Sequence, residues 1–309
     1  MPNAIELRGV TKRFGTQTAV NQLDLQVPTG SIYGFIGPNG SGKTTTLRMI
    51  LRIFQPDSGQ VIVLGREAGQ VADDRLGYLP EERGLYKRMR VRDLLTYYSR
   101  LKGHYDCQSD IDDWLRFLQA DSWGNKKIEA LSKGMAQKIQ FVAAVIARPQ
   151  LVILDEPFSG LDPVNMETLR DAVLRLRERG TTIIFSTHDM DMAEEMCDTI
   201  FMIFRGNKVL DGSLEAIQNQ YAADLVRVGF ANPNDTFPEI QGVNDCRRLD
   251  RYFEFRLSDL RQSSRVLQQL AEVRQVVHYE IIRPSLHDIF VRIARPEASP
   301  ALELANRSS

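Results

Sequence analysis

The chain has 309 residues, a length typical of two domains or of one large domain with a smaller one. Hydrophobic residues make up 43% of it, and 39 Lys and Arg stand against 40 Asp and Glu. This composition excludes a collagen-like, disordered or disulfide-stapled chain, and the net charge of -1 gives no overall attraction to nucleic acid or anionic lipid.

Neither the cysteines nor the apolar segments indicate an exported or membrane-spanning chain. The three cysteines are far apart and form no CxxC pair, which favours a reducing compartment and argues against a structural zinc site. The first residues lack the basic start and apolar core of a signal peptide. Apolar stretches such as Phe141–Ala147 are far shorter than the ~18–20 residues that cross a bilayer. We therefore expect the chain to span no membrane by itself.

The first sixty residues are predicted to form short strands. Ala4–Val10 and Ala19–Val27 have partly alternating apolar residues, with a turn predicted at residues 14–16. Ser31–Ile36 is a compact apolar strand that leads into a glycine-rich loop and then into a helix predicted over Lys43–Phe54. A strand, loop and helix in this order indicate an α/β sheet with a ligand at the carboxyl end of the strand.

Residues 80–148 are predicted to be mainly helical, with apolar residues at helical spacing such as Leu94, Leu95, Tyr98 and Leu101. Strand patterns then return at Leu151–Leu154, Thr182–Ser186 and Thr199–Phe204, with helices between them. The sequence therefore predicts a sheet that is interrupted by a helical insertion.

A smaller α+β unit is predicted after a change of pattern near residues 211–220. Its strands are Leu225–Phe230, Tyr252–Leu257 and Val276–Ile282, and its helices lie near Leu260–Glu272 and Leu286–Ile293. We therefore divide the chain into residues 1–218, an accessory domain at 219–296, and a small polar tail at 297–309 that we expect to be disordered.

The glycine-rich loop matches the pattern GxxxxGK[ST] and follows a predicted strand directly. Its residues are Gly37, Pro38, Asn39, Gly40, Ser41, Gly42, Lys43, Thr44 and Thr45. Glycines allow backbone N–H groups to approach phosphate oxygens, and the helix that begins there adds positive potential. Lys43 is expected to contact the β- and γ-phosphates, and Thr44 is expected to supply a hydroxyl to Mg²⁺. The loop predicts a nucleotide phosphate site.

Two adjacent carboxylates, Asp155 and Glu156, follow the apolar strand Leu151–Leu154. Together with the phosphate loop upstream, they predict a hydrolytic centre. Asp155 is expected to hold Mg²⁺, directly or through water, and Glu156 is expected to polarise the attacking water.

Four further motifs make residues 5–212 resemble the ATP-binding subunits of ABC transporters. They are Phe14 before Gly15, the segment Leu131-Ser132-Lys133-Gly134-Met135, the segment Ser159-Gly160-Leu161-Asp162, and Thr187-His188-Asp189. The resemblance implies an α/β P-loop domain of ABC type, with a mixed sheet core, an antiparallel β subdomain and a helical subdomain, followed by a small C-terminal α+β domain.

The same resemblance implies roles for individual residues. Phe14 would stack on adenine, and Asp162 would lie beside the nucleotide. Ser132 and Gly134 would bind the γ-phosphate of an ATP held by a second subunit, and His188 would act with Glu156 on the attacking water. It further implies ATP and Mg²⁺ as cofactors, a homodimer or a heterodimer with a second ATP-binding subunit, and a separate integral membrane permease. No nucleic-acid partner is expected, and the implied location is the cytoplasmic face of the cell membrane.

The chain departs from the usual pattern of that family at two places. Glu81 stands where the family commonly has Gln; a carboxylate can still bind Mg²⁺ but cannot donate a hydrogen bond. Lys133 and Met135 replace the usual Gly and Gln. The segment around Glu81, together with residues 284–290, resembles the sodium-efflux subgroup, which works with ABC-2-type membrane proteins. That resemblance implies an exporter, of sodium or another ion, a drug or a lipid.

Two other functions stay open from the sequence. A soluble ABC ATPase acting on ribosomes or DNA is disfavoured because the chain shows a single phosphate loop and no sustained heptads. A poorly hydrolysing nucleotide switch is suggested by Glu81 and Lys133 but disfavoured by the presence of Glu156. The basic residues Lys87, Arg88, Arg90 and Arg92 fit either a docking face for a membrane partner or a solvated helix start.

Overall fold

The structure, a computed structural model, describes residues 2–67, 74–82, 84–221, 225–232 and 235–294. Contacts between residues divide the chain into two compact units, Met1–Leu214 and Glu215–Ser309. The tail that we predict at 297–309 lies outside the described residues. Within the part of the chain described, no helix is both long enough and apolar enough to cross a lipid bilayer.

An antiparallel sheet forms the amino-terminal part of the first unit. Its strands are β1 (Asn3–Phe14), β2 (Gln17–Pro28), β4 (Ser58–Val63) and β5 (Arg66–Glu67), in the order β2-β1-β4-β5. Partly alternating burial, as in β1, where Ile5 and Leu7 are buried and Glu6 is not, reflects a sheet with one face in the core. This sheet is the predicted antiparallel β subdomain.

The central sheet carries the predicted ligand-binding edge. Its strands are β3 (Ile32–Ile36), β6 (Leu76–Leu79), β7 (Leu151–Asp155), β8 (Thr182–Thr187), β9 (Thr199–Phe204) and β10 (Asn207–Gly212), in the order β10-β9-β3-β8-β7-β6. Only the pairing of β10 with β9 is antiparallel among the described pairs. Every residue of β3 and β7 is buried, as expected for parallel strands covered on both faces. Because β3, β8 and β7 are neighbours, their carboxyl ends meet at one edge.

The helices of this unit include α1 (Lys43–Ile50), α2 (Val91–Leu101), α3 (Gln108–Phe117), α4 (Lys133–Val145), α5 (Pro163–Glu178) and α6 (Met190–Met196). Helices α2 to α4 fall within the predicted helical subdomain and bury Leu94, Leu95 and Trp114 in a common core. Leu101, which continues the helical spacing of apolar residues, is the last residue of α2 and is 64% exposed. The mixed sheet, the antiparallel sheet and the helical region confirm the predicted fold class.

Helix α1 is shorter than predicted. The apolar pattern extends to Phe54, but the helix ends at Ile50. Arg52 has a φ of +61°, and the backbone N–H groups of Ile53 and Phe54 both donate to the carbonyl oxygen of Arg48. The chain therefore turns back at Arg52, and the apolar residues beyond it pack without continuing the helix.

The second unit contains α7 (which starts at Leu214 and ends at Tyr221), β11 (Leu225–Phe230), β12 (Val243–Leu249), β13 (Tyr252–Leu257), α8 (Ser263–Val273), β14 (Val276–Ile281) and α9 (Leu286–Ala294). Its antiparallel sheet runs in the order β12-β13-β11-β14. One face packs on Val266 and Leu270 of α8. The other face carries Glu254, which is 4% exposed and accepts hydrogen bonds from Arg227 and Arg247 on the neighbouring strands.

Candidate nucleotide site

Two glycines shape the loop between β3 and α1. Gly37 has a φ of +150° and Gly42 a φ of +112°. A Cβ on Gly37 would lie 2.3 Å from the carbonyl oxygen of Ile203, and a Cβ on Gly42 would lie 2.5 Å from that of Ala19. Both positions therefore require glycine for space as well as for conformation. The loop backbone can then curve tightly ahead of the first turn of α1.

Lys43 is the positive charge of this loop. It is 6% exposed, and its Nζ donates to the carbonyl oxygens of Gly37, at 2.5 Å, and Pro38, at 3.2 Å. Burial lowers the pKa of Lys43, while the nearby carboxylates act in the opposite direction without cancelling the effect. Beside it, the buried Ser41 Oγ has no hydrogen-bond partner among the described residues. A buried ammonium on loop carbonyls and an unpaired hydroxyl suit an anionic oxygen ligand such as a phosphate.

A cavity of about 350 Å³ lies over the loop and is lined by Phe14, Gln17, Ala19 and residues 39–45. Phe14 is the last residue of β1 and is 47% exposed. Its ring meets Phe54 edge-on, with centroids 5.6 Å apart, and Lys12 Nζ lies 5.6 Å from its centroid. An exposed aromatic ring beside a phosphate loop suits the stacking of a nucleotide base.

Asp155 ends β7 and is 3% exposed. Its Oδ1 accepts a hydrogen bond from Ser186 Oγ, on the neighbouring strand β8. Burial raises the pKa of Asp155, and the charge of Glu156 raises it further. A carboxylate whose charged form is disfavoured in this way is suited to receive a cation.

The oxygen donors near Asp155 fit Mg²⁺. Thr44 is half-buried in the first turn of α1, and Glu81 is exposed in the loop after β6 and lines the same cleft as Asp155. Among the described residues, no group of three or more acidic, His or Cys side chains forms a ready metal cage. Mg²⁺ typically takes one or two carboxylates together with substrate phosphates, so Thr44 and Asp155 are a sufficient protein contribution.

Glu156 is held in one orientation by the loop after β8. Its Oε1 accepts from the backbone N–H of His188 at 3.1 Å and lies 2.8 Å from His188 Nδ1, and its Oε2 lies 3.4 Å from Thr187 Oγ1. Glu156 has a φ of +50°, an unfavourable conformation for a residue with a side chain, and its own N–H donates to the carbonyl of Ser186. The side chain of Glu156 is 10% exposed and that of His188 58%. This pair can orient a water molecule and present an imidazole to a ligand.

The predicted signature residues lie at the start of α4. Ser132 caps this helix, since its Oγ accepts from the N–H of Met135 at 3.3 Å. Gly134 follows in the first turn, where a Cβ would lie 3.0 Å from Asn165 Nδ2. Asp162 caps α5 by accepting hydrogen bonds from the backbone N–H and side-chain amide of Asn165, and these bonds hold the pKa of Asp162 below its usual range.

The structure therefore brings the predicted residues together in two groups. The phosphate loop, Asp155, Glu156 and His188 meet at the carboxyl edge of the central sheet. Gly134 and Asp162 both lie beside Asn165, and Ser132 caps the helix that carries Gly134; none of the three lines the phosphate-loop cavity. Lys133 differs from its neighbours because it lines a cleft of its own chain with Glu81, Asp155 and Glu156.

Sequence reasoning missed three residues of the site. Ser186 donates to Asp155, Gln137 Nε2 donates to the carbonyl of Pro157, and Gln140 Nε2 donates to the carbonyl of Glu82 at 3.4 Å. The position of Ser186 depends on the pairing register of β7 and β8, which the sequence does not reveal. Gln137 and Gln140 are buried on α4 together with Lys138, and these polar residues among the apolar ones of the helix are the signal that the sequence offers.

Comparison with known proteins agrees with this geometry. Residues 20–159 match the model of the ABC transporter family, and residues 212–294 match that of the C-terminal domain of DrrA1-3-like ATP-binding proteins. The chain belongs to the family of ABC transporter ATP-binding proteins. It is 39% identical over 284 residues to YhaQ of Bacillus subtilis (strain 168), an uncharacterized ABC transporter ATP-binding protein, covering 91% of this chain and 95% of that protein.

Other relatives support the same family. The Nod factor export ATP-binding protein I of Rhizobium leguminosarum bv. viciae is 32% identical over 304 residues, which cover 96% of each chain. A solved ATP-binding subunit of an ABC transporter is 26% identical, with a TM-score of 0.66, over 71% of this chain and 93% of that one. For cbiO1 from Clostridium perfringens, part of the transporter complex cbiONQ, the identity is 20% and the TM-score 0.62, over 72% and 92%, which shows the shared fold.

These findings confirm the resemblance that the sequence motifs indicate. The chain is an ATP-binding subunit of an ABC transporter, and the family to which it belongs hydrolyses ATP. Subunits of this kind work with membrane-spanning permease subunits.

Proposed function

We propose that this protein is the ATPase subunit of an ABC-2-type exporter and that two ATP-binding subunits close around two MgATP at the cytoplasmic face of the membrane. Export is supported by the similarity to the Nod factor export protein, which extends over 96% of both chains and therefore includes both units. The observation that carries the ATPase mechanism is the position of Glu156, fixed by the loop of His188 at the edge that also holds Lys43 and Asp155. The cargo would be an ion, a drug or a lipid.

In this proposal the loop binds the phosphates and Phe14 binds the base. Lys43 Nζ would exchange the carbonyls of Gly37 and Pro38 for oxygens of the β- and γ-phosphates. The N–H groups at the start of α1 and the unpaired hydroxyl of Ser41 would donate to the same anion.

Thr44 and Asp155 would hold Mg²⁺, and Glu81, which lines the same cleft as Asp155, would offer a further oxygen ligand. When bound, the metal would offset the charge that develops on the β- and γ-phosphate oxygens. The buried carboxylate of Asp155 is kept in place by Ser186, so its orientation does not depend on the ligand.

Glu156 would orient the attacking water and accept its proton. The hydrogen bonds from Thr187 and His188 fix both carboxylate oxygens, which lowers the entropic cost of positioning the water. His188 is exposed and would contact the γ-phosphate through the ring nitrogen that faces away from Glu156.

A second subunit would complete the site. Ser132 and Gly134 lie at a helix N-terminus, which suits them for an anion, but they do not line the phosphate-loop cavity of their own chain. A second ATP-binding subunit placed head-to-tail would bring the N-terminus of its own α4 to that cavity. A homodimer meets this requirement, and so does a heterodimer with a related subunit.

The permease contact would involve the region between Glu81 and α2. Gln140 of α4 donates to the loop after Glu81, so a shift of that loop would reach the helix that begins at Ser132. Of the neighbouring basic residues, Arg92 pairs with Asp112 at 2.5 Å. Lys87 and Arg88 are exposed and leave charge available to a membrane partner.

Sedimentation velocity with MgATP tests the two-subunit mechanism. A Glu156→Gln variant should dimerise when ATP is added, because ATP binds but is not hydrolysed. The matched control is the double variant Lys43→Ala and Glu156→Gln, in which added ATP should produce no further association. If the Glu156→Gln variant shows no ATP-dependent association, the two-ATP mechanism is wrong.

A further inference from the structure

The two edges of the sheet in the second unit differ in character. The edge strand β12 carries exposed polar residues from Asn244 to Arg248, a register shift and a left-handed residue, Asp245, with a φ of +49°. Such features protect an edge strand from pairing with another chain. The opposite edge strand, β14, instead exposes two large apolar side chains, Val277 at 63% and Ile281 at 40%.

The free backbone groups of β14 can be assigned from its pairing with β11. The N–H of Ile282 donates to the carbonyl oxygen of Leu225 at 2.8 Å, and Glu280 pairs with Arg227. In an antiparallel pair the hydrogen-bonded positions alternate, so residues 280 and 282 direct their backbone groups toward β11. Tyr279 and Ile281 therefore direct theirs away from it, to an edge where no strand of the described residues pairs.

The sequence of this edge is self-complementary. If a second β14 pairs antiparallel with Tyr279 opposite Tyr279, then Val277 lies opposite Ile281 and His278 lies opposite Glu280, each pair occurring twice. Tyr279 then exchanges backbone hydrogen bonds with its symmetry mate through the groups that point outward. His278 and Glu280 occupy the positions without backbone hydrogen bonds, where opposing side chains are closest.

Neighbouring registers with the same hydrogen-bond pattern are less favourable. A twofold axis at His278 places Glu280 opposite the apolar Val276, and an axis at Glu280 opposes two carboxylates. Like charges directly opposite each other destabilise a sheet, whereas opposite charges stabilise it. The axis at Tyr279 therefore places each carboxylate opposite an imidazole and pairs the apolar side chains with each other.

We propose that β14 pairs with β14 of a second copy of this chain about a twofold axis at Tyr279, forming a continuous sheet across two second units without any need for nucleotide. A twofold contact uses the same surface on both copies, as this self-complementary pattern requires. The proposal is independent of ATP-dependent closure, since none of its residues belongs to the nucleotide site.

Cross-linking tests the register directly. Two differently tagged full-length chains would carry His278→Cys and Glu280→Cys, each in a Cys246→Ser background because Cys246 is an exposed thiol. Opposing positions of this type lie ~4.5 Å apart between Cα atoms, within the range for a disulfide. Mild oxidation of the mixture should give a covalent dimer that contains both tags. Either variant oxidised separately should give none, because its two thiols are offset along the strands.

Sedimentation velocity of nucleotide-free protein tests the association itself. The Lys43→Ala chain should dimerise without ATP, and adding Glu280→Arg should raise the dimer Kd roughly tenfold or more, because both pairs between His278 and the Glu280 carboxylate are lost. Restoring the pairs with His278→Glu in the same chain should recover association. The control Glu272→Arg makes the same charge change at an exposed position of α8 and should have no effect.

Three results would overturn the proposal: a nucleotide-free chain that stays monomeric at ~100 μM, no mixed disulfide, or a mixed disulfide no more abundant than those of the single variants. Hydrogen exchange over β11 and β13 would verify that each variant keeps its fold. The ATP-dependent association of the Glu156→Gln variant is also measured in the Glu280→Arg background, where the nucleotide-free dimer is weakened, so failure of one mechanism does not imply failure of the other.

Discussion

Replacing Glu156 by Gln separates ATP binding from hydrolysis. In the wild type, Glu156 Oε1 lies 3.1 Å from the backbone nitrogen of His188 and 2.8 Å from its Nδ1, and the amide oxygen of the variant can still accept both hydrogen bonds. The amide NH₂ would replace Glu156 Oε2, which lies 3.4 Å from Thr187 Oγ1, and the threonine hydroxyl can accept a hydrogen bond from it. Because charge-assisted hydrogen bonds become neutral ones, we expect the variant to be less stable by about 1 kcal/mol.

The effect on hydrolysis should be much larger. Loss of a positioned general base typically lowers a rate by about 10²–10⁴-fold, which corresponds to roughly 3–5 kcal/mol in the activation barrier. ATP binding should be unchanged or tighter. Among the carboxylates near Lys43, Glu156 has the largest electrostatic effect on the lysine, so neutralising Glu156 reduces the repulsion of an incoming phosphate.

Single-turnover hydrolysis and equilibrium ATP binding measure the two effects on the same protein. The control is Glu82→Gln, the same change at an exposed carboxylate nearby, which should keep the wild-type rate. A Glu156→Gln variant that hydrolyses ATP within tenfold of the wild-type rate would refute the assignment of Glu156 as the base. Loss of ATP binding in this variant would refute the argument that its geometry is preserved.

Three further substitutions test other parts of the account. Gly37→Ala places a Cβ 2.3 Å from the carbonyl of Ile203 and should weaken ATP binding by about tenfold or more in titrations; Gly30→Ala, with a φ of +76° and open space around it, should leave binding unchanged. Glu254→Gln should lower stability by about 1–3 kcal/mol at pH 7, as measured by hydrogen exchange. Burial raises the pKa of Glu254, but its two arginine partners outweigh that effect and hold the pKa below its ordinary value of 4.5. The wild type should therefore lose this stability as the pH falls from about 4.5 through the lower folded-state pKa, and the variant should show no such loss. Glu81→Gln should change permease-stimulated ATP hydrolysis more than basal hydrolysis; abolished basal hydrolysis would show that Glu81 has a more direct role.

The sequence predicts the inner strands of the central sheet well because these strands are buried on both faces. Runs such as Leu151–Leu154 are apolar without interruption, and the phosphate loop marks where one strand ends and a helix begins. The pattern fails at exposed elements. Strand β12 has apolar residues only at its ends, Val243 and Leu249, because it is an edge strand with little burial between them. Strand β10 is not among the predicted strands, and helix α7 lies in the segment where we predict only a change of pattern.

The residues of the nucleotide site can be predicted from sequence when they belong to a local motif. Residues that reach the site only through tertiary contacts cannot. Lys43, Asp155 and Glu156 follow from local motifs. Ser186 does not, since its contact with Asp155 depends on the pairing of two strands that are distant in sequence. The hydrogen bond from Gln140 to the carbonyl oxygen of Glu82 also joins distant segments, so the sequence does not predict this contact.

The proposed function requires that this ATPase powers a separate membrane exporter. The most direct test is affinity purification of the tagged Glu156→Gln chain from gently solubilised membranes, with mass spectrometry of the partners and assay of the purified wild-type complex. We predict recovery of a membrane protein with several apolar spans whose presence stimulates ATP hydrolysis by the wild-type chain. Recovery of only soluble partners, ribosomes or DNA-associated factors, with no membrane protein that changes the ATPase rate, would contradict the claim.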